Sequence, residues 1–285
     1  MLRVDRTGPQ SLLQDLGRPG FAHLGVSPSG AADRGALRLA NRLVGNVEDA
    51  VAVECTLGGL VVTALDLAWV AVTGAQTQVL VNDVPTASHT TLVLRPGDRL
   101  AVQPPRQGLR SYLGVRGGVA AEQVLGSAAS DVLSGLGPGP LQDGQELAVG
   151  HQQGDLPDVD VAPVRPDDPA LALSPGPRLD WFDTSAWHHL LEHPWRVTPD
   201  CDRVAVRLAG PALERRRTEE LPSEGLLRGA VQVPASGQPL IFLSDHPVTG
   251  GYPVIAVLPE RSCDRAAQLR PGDEVRFRSA AAPRR

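Results

Sequence analysis

Several short segments carry residue types that do chemistry when they meet. Gln14-Asp15-Leu16-Gly17-Arg18-Pro19-Gly20 sets an amide, a carboxylate and a guanidinium between glycines, where an exposed turn can present all three. A plain Asp15–Arg18 ion pair fits the same residues. Gly25-Val-Ser-Pro-Ser-Gly-Ala-Ala-Asp33 follows. Ser29 and Gly30 stand before the best helical pattern in the chain, where free backbone N–H groups and the helix dipole favour a carboxylate or phosphate. Asp33 in the first turn suits Mg²⁺ or a substrate N–H, and suits the dipole of an ordinary helix start equally well.

Asn41 sits inside that helix against its propensity, so it should bond something specific. Glu54 follows the apolar Ala50-Val-Ala-Val53. A buried carboxylate there is either a base or metal ligand, or the partner of an arginine. Further on, Arg116 stands just past a strand among glycines. Ser130 and Asp131 lie in Gly126-Ser-Ala-Ala-Ser-Asp131. Thr249-Gly250-Gly251 reads as a small anion nest or a hairpin turn. No residue set makes a certain metal site. His188, His189 and His193 lack a carboxylate or cysteine at matching spacing and read as surface or core histidines. GxxxxGK[ST], HExxH and GxSxG are absent.

The elements that must position these residues are mostly strands. Leu60–Thr63, Trp69–Thr73, Val79–Val81, Thr91–Leu94, Arg203–Leu208, Ala230–Val233 and Leu240–Leu243 are short apolar or alternating runs between turn residues. The 30 Gly and 26 Pro, spread along the chain, fit many tight turns and disfavour a helical protein. Helices are few. Ala31 to Val44 repeats apolar residues at helical spacing, with Ser29 as its cap and Gly45-Asn46 as its close. Gly118–Leu125, Thr184–Glu192 and Cys263–Leu269 are shorter helical candidates. The fold class is therefore mainly β with a few short helices. The expected organisation is an N-terminal β lobe over 1–150, a linker or long loop over 151–170, a C-terminal β lobe over 171–278 and a disordered tail over 279–285. Leu94-Arg-Pro-Gly-Asp-Arg-Leu100 recurs as Leu269-Arg-Pro-Gly-Asp-Glu-Val275, which hints at two related lobes.

Composition narrows the partners. A net charge of −5 with no basic stripe, and 4% aromatic residues, argue against nucleic acid. All 27 cationic residues are Arg, so a phosphate clamp must use Arg, backbone N–H groups or a metal. The N-terminus lacks the apolar core of a signal peptide, and no run is long enough to span a bilayer. Cys55, Cys201 and Cys263 have no metal or CxxC spacing, as expected for reduced thiols in the cytoplasm.

In this order, Gln14-Asp-x-Gly-Arg-x-Gly20, Gly25-Val-x-x-Ser-Gly-Ala-x-Asp33, Ala40-Asn-x-Leu-Val-Gly-Asn46, Glu54, Gly114-Val-x-Gly-Gly118, Ser223-Glu-Gly225, Ser236-Gly-Gln-Pro239 and Thr249-Gly-Gly-Tyr-Pro253 resemble the 5-oxoprolinase C-subunit family. That family is also called allophanate hydrolase subunit 2 or KipA, and is related to the carboxyltransferase region of urea carboxylases. The likeness covers roughly residues 4 to 277 of the 285. It departs at Val254, where the family often has Lys, and at Asp202-Arg-Val-Ala-Val-Arg-Leu208, where many members read Asp-Arg-Met-Gly-Tyr-Arg-Leu.

The resemblance implies two cyclophilin-like β-barrel lobes. It implies a direct partner, the KipI-like B-type subunit, and a LamB/YcsF-like A-type subunit. Together such proteins open the lactam 5-oxo-L-proline to L-glutamate with ATP and Mg²⁺ shared with a partner. On this reading Asp15, Arg18, Asp33, Glu54 and Arg116 are catalytic. Gln14, Ser29, Gly30, Asn41, Thr249, Gly250 and Gly251 bind substrate or phosphate. Two alternatives stay open. One is carboxyl transfer from carboxybiotin to a urea-like acceptor, with biotin on a separate carrier because the chain has no Lys. The other is a non-catalytic, KipA-like binding partner of a KipI-type kinase inhibitor.

Overall fold

The computed structural model describes residues 1–152, 154–164, 168 and 170–280. The chain divides into two compact units. Unit 1 is Met1–Pro19 with Ser29–Arg165, and unit 2 is Gly20–Pro28 with Pro166–Arg285. The short segment 20–28 therefore leaves the motif block and packs within unit 2, where Ser27 Oγ donates to Ser244 O at 3.3 Å.

Unit 1 runs β1 (Leu2–Arg6), β2 (Gln10–Gln14), α1 (Arg34–Leu43), β3 (Ala52–Thr56), β4 (Val61–Ala64), β5 (Ala68–Gln76), β6 (Val79–Val81), β7 (Val84–Thr86), β8 (Thr91–Leu94), β9 (Arg99–Val102), β10 (Gln107–Val115) and β11 (Glu146–Leu147). They form a six-stranded sheet, β11-β1-β4-β9-β6-β7, and a five-stranded sheet, β2-β3-β10-β5-β8. The pleat explains how they pack, because side chains two apart share a face. Leu2, Val4, Val62 and Leu100 of the first sheet join Val53, Val70, Val72 and Leu113 of the second in one apolar core. Residues of opposite parity on the second sheet, Ala52 and Tyr112, pack instead with Ala36, Leu37 and Ala40 of α1. The five-stranded sheet is thus covered on both faces. Gly114 allows the close approach on the helix side, since a Cβ there would lie 3.1 Å from Ala40.

Unit 2 runs β12 (Ala170–Pro175), α2 (Thr184–Glu192), β13 (Trp195–Val197), β14 (Ala205–Ala209), β15 (Glu224–Gly225), β16 (Ala230–Gln232), β17 (Leu240–Phe242), β18 (Thr249–Gly250), β19 (Val254–Val257), α3 (Glu260–Ala266) and β20 (Glu274–Ser279). Seven strands close a barrel in the order β12-β19-β16-β17-β14-β13-β20. Closure is made by the parallel pairing of β12 with β20, Ala170 opposite Arg276 through Leu173 opposite Ser279. Closure leaves no open sheet edge. Inside the unit, Arg203 and Asp245 form an ion pair that excludes water, at 1% and 0% side-chain exposure.

Four sequence expectations change. The helix α1 starts at Arg34, capped by Asp33, whose Oδ1 accepts from Ala36 N at 2.9 Å; Ser29 is not its cap and adopts φ 53°. Residues 118–125 form no helix, because their backbone bonds reach across the unit: Val119 N to Val51 O and Ala120 N to Ala148 O. The third helix lies at Glu260–Ala266, three residues before the expected end at Leu269. Ser279 belongs to β20, and Ala280 N donates to Leu173 O at 2.6 Å; residues 281–285 of the expected tail lie outside the described residues. The expected linker over 151–170 also includes positions outside them, 153, 165–167 and 169.

The end of α1 forms as expected. Gly45 takes φ 73°, its N–H returns to Arg42 O and that of Asn46 to Asn41 O, a Schellman closure. No helix among the described residues is long and apolar enough to cross a membrane.

Candidate functional site

The motif residues of unit 1 gather around the end of β2, the loop 124–138 and the approach to α1. They form an interior site, not an exposed turn. Gln14 is fully buried, and Asp15 and Arg18 are 4% and 1% exposed. Asp15 and Arg18 do not pair with each other. Each reaches the loop 124–130, more than 100 residues away in sequence.

Asp15 fastens that loop. Its Oδ1 accepts from Ser127 Oγ at 2.6 Å and from Gly17 N at 2.7 Å, and its Oδ2 accepts from Ala128 N at 2.7 Å. Its backbone oxygen accepts from Ala31 N at 2.8 Å, which ties in the segment before α1. Arg18 Nε donates to Val124 O at 3.2 Å, and Nη2 donates to Ala129 O. Gln14 Nε2 donates to Ser130 O at 2.8 Å, and Ser29 Oγ reaches the same oxygen at 3.5 Å. Ser130 Oγ turns away to Pro138 O, at 2.5 Å. Asp131 closes its own turn on Leu133 N and Ser134. Gly30 holds φ 88° against the Leu16–Gly17 backbone.

A second cluster lies under the start of α1. Glu54 Oε2 accepts from Tyr112 OH at 2.7 Å and from Ala32 N at 3.0 Å, and Arg110 Nε stands 3.6 Å from Oε1. Register explains the contact, since Tyr112 lies directly opposite Glu54 across the β10–β3 pair, on the helix-covered face. Tyr112 OH also accepts from Asp33 N at 2.7 Å. Burial first, then the charges of Glu54 and Asp33, push the Tyr112 phenol well above its ordinary range, so it stays a donor.

Asn41 and Arg116 serve a third cluster. Asn41 Nδ2 donates to Glu48 O and Ala50 O, and Asn46 bridges Asn41 Oδ1, Val115 O and Gly117 N. Arg116 donates to the carbonyls of Val44, Asp155 and Gly154. A cavity of about 180 Å³ opens beside Arg116, lined by Met1, Asp66 and Gln152 among others and by no residue between Gln14 and Glu54.

Thr249 and Gly250 belong to unit 2, as β18 paired with β15, Gly225 opposite Thr249. Neither Gly250 nor Gly251 has positive φ, so the alternating backbone of a nest is not formed here.

Fit to a divalent cation is poor at the predicted carboxylates. Asp15 already accepts three hydrogen bonds, and Glu54 accepts two beside a guanidinium. Among the described residues, no three His, Cys, Asp or Glu side chains converge as a metal would need. The sequence pointed to Gln14, Asp15, Arg18 and Ser29, which do meet. It missed Ser127 and Ala128–Ala129, whose only signal was a run of small residues after Gly126. It anticipated an arginine beside Glu54 without naming Arg110.

The model of the carboxyltransferase domain, subdomain A and B, matches residues 24–279. The 5-oxoprolinase C subunit of Escherichia coli (strain K12) is 37% identical over 280 residues, covering 97% of this chain and 90% of its own. The 5-oxoprolinase C subunit of Haemophilus influenzae (strain ATCC 51907 / DSM 11121 / KW20 / Rd) is 32% identical over 271 residues, with 94% and 87% covered. The crystal structure of the Kluyveromyces lactis urea carboxylase superimposes with a TM-score of 0.90 at 27% identity, covering 98% of this chain and 27% of that one.

Proposed function

The chain belongs to the carboxyltransferase domain, subdomain A and B, family, and from that premise we propose that it is the C-type subunit of a 5-oxoprolinase. In this reading it opens 5-oxo-L-proline to L-glutamate with an A-type subunit and a KipI-like B-type subunit, at the expense of ATP. The observation that carries the reading is the near end-to-end match to the two C-subunit proteins. This chain corresponds to about a quarter of the urea carboxylase.

ATP with Mg²⁺ would be held by a partner subunit, because Asp15 and Glu54 spend their oxygens on protein donors. What this chain supplies is a dry polar cradle. A lactam resists attack through amide resonance. A buried guanidinium such as Arg18 stabilises charge that grows on a carbonyl oxygen far better than water does.

A second reading, carboxyl transfer from carboxybiotin to a urea-like acceptor, is favoured by the superposition on urea carboxylase. One assay separates them. The chain is combined with its A- and B-type partners, and ADP and glutamate are measured with 5-oxo-L-proline, beside carboxybiotin consumption with urea. Oxoproline-dependent ATP hydrolysis is expected. Its absence, with urea-dependent loss of carboxybiotin in its place, replaces the first reading by the second.

A further inference from the structure

The turn between Gln14 and Arg18 holds two buried polar atoms with no hydrogen-bond partner among the described residues, Gln14 Oε1 and Arg18 Nη1. The side chains that carry them are 0% and 1% exposed. Oε1 only accepts and Nη1 only donates. The remaining polar atoms of both side chains are anchored on one loop. Gln14 Nε2 is held by Ser130 O at 2.8 Å, which fixes which way the amide points. Arg18 is held by Val124 O and by Ala129 O, the residue next to Ser130. The Asp15 carboxylate does not pair with the guanidinium; its hydrogen bonds go to Ser127, Ala128 and Gly17. Polar atoms buried this deeply are nearly always satisfied, so an open acceptor and an open donor four residues apart in sequence each call for a partner.

We propose that Gln14 Oε1 and Arg18 Nη1 read the two halves of an amide edge, Gln14 accepting the ligand N–H and Arg18 donating to the ligand carbonyl oxygen. The ligand class is one that carries N–H and C=O on neighbouring atoms and on the same side, a lactam or a ureide. A lactone or an N-alkylated lactam presents the carbonyl alone and leaves Oε1 buried and open. Gln14 is therefore the specificity-determining residue. Arg18 polarises the bound carbonyl, whose oxygen gains charge when the carbon is attacked. Naming 5-oxo-L-proline as that lactam rests on the function proposed above, while the amide-edge recognition does not.

Calorimetric titration of the full chain, alone and assembled with its partners, tests the pairing. The ligands are 5-oxo-L-proline, its N-methyl derivative and the corresponding lactone, with urea as the ureide. The wild-type protein is expected to prefer the lactam to both analogues by at least about tenfold, the discrimination available to a site built around a substrate N–H. Gln14→Leu should bring that ratio to about one, whereas Arg18→Lys should weaken all three ligands alike. Equal affinity of wild-type protein for lactam, N-methyl lactam and lactone overturns the proposal, and needs no variant to fold. So does an unchanged preference in Gln14→Leu, or no binding of either lactam or urea in the assembly. If urea binds in a Gln14-dependent way but oxoproline drives no ATP hydrolysis, the amide edge stands and the 5-oxoprolinase reading fails. If turnover of oxoproline proceeds while Gln14→Leu keeps the lactam preference, the reverse holds.

Discussion

The Tyr112 hydroxyl donates to the Glu54 carboxylate at 2.7 Å, with both side chains buried beneath α1. The same hydroxyl accepts from Asp33 N at 2.7 Å, so a single phenol joins the five-stranded sheet to the residue that caps the helix. Tyr112→Phe keeps the ring and removes both bonds. A loss of about 1–3 kcal/mol is expected, the cost of depriving buried polar groups of a partner. Urea denaturation measures it. A loss below about 0.5 kcal/mol, within the scatter of neutral surface changes, would show that the hydroxyl is not part of the support.

The ion pair of unit 2 invites a larger effect. Arg203 Nε donates to Asp245 Oδ2 at 2.9 Å and Nη2 donates to Oδ1 at 3.1 Å, a fork with both groups out of water. Asp245→Ala leaves a guanidinium in the interior without its carboxylate. Removing one member of a buried pair typically costs about 3–5 kcal/mol. The expected outcome is a much lower denaturation midpoint, or no folded protein at 37 °C. A midpoint equal to wild type would contradict it.

These examples show what the sequence made legible. Strand runs such as Val79–Val81 and Thr91–Leu94 were visible because β-branched and apolar residues stand between turn residues. The helix α1 showed its period and its Gly45 close. Its start was ambiguous because Ser29 and Asp33 both suit a cap, and only the Ala36 N–H distinguishes them. The helix expected over 118–125 failed because nonlocal bonds to Val51 and Ala148 outweigh local propensity. The Pro-Gly-Asp echo proved to be one turn used twice, with Gly97 at φ 90° and Gly272 at φ 92°. Asp98 and Asp273 hold Arg95 N and Arg270 N. Their settings differ, since the first joins β8 to β9 and the second leads from α3 to β20. Within the site, residue types were readable and partners were not. Nothing local to Asp15 reports Ser127, which reaches it only through the tertiary fold.

Acid sensitivity is predicted for His89. It is 7% exposed, at φ 59°, and burial lowers its pKa below the usual value of 6.5. The folded state therefore favours the neutral ring. Stability from this group is complete above about pH 6.5. It is lost as pH falls from there towards the lowered folded value, because the unfolded chain takes up its proton first. His89→Asn tolerates the left-handed backbone and removes the titration. Melting temperatures at pH 7.5 and 5.5 should fall further apart in wild type than in His89→Asn. Identical spacing in the two proteins would assign the acid sensitivity elsewhere.

Two glycines with almost the same backbone separate strain from displacement in the site. Gly30 holds φ 88° and Gly97 holds φ 90°. A methyl group at Gly97 would meet nothing within 4 Å, whereas at Gly30 it would come to 2.7 Å from Leu16 C and Gly17 N. Either Ala substitution bears the cost of a left-handed non-glycine residue, about 1–2 kcal/mol. Only Gly30→Ala must also push back the turn that carries Asp15 and Arg18. Because backbone and not a flexible side chain is in the way, relief requires moving that turn. A shift of about 1 Å in positioning groups can lower turnover on the order of a hundredfold. Gly97→Ala should therefore lose stability and keep kcat in the assembled enzyme, while Gly30→Ala should lose more stability and most of its kcat. If both variants retained wild-type kcat, the Leu16–Gly17 turn would not position the reacting groups, and the cradle around Arg18 would have to be assigned to binding alone or to structure.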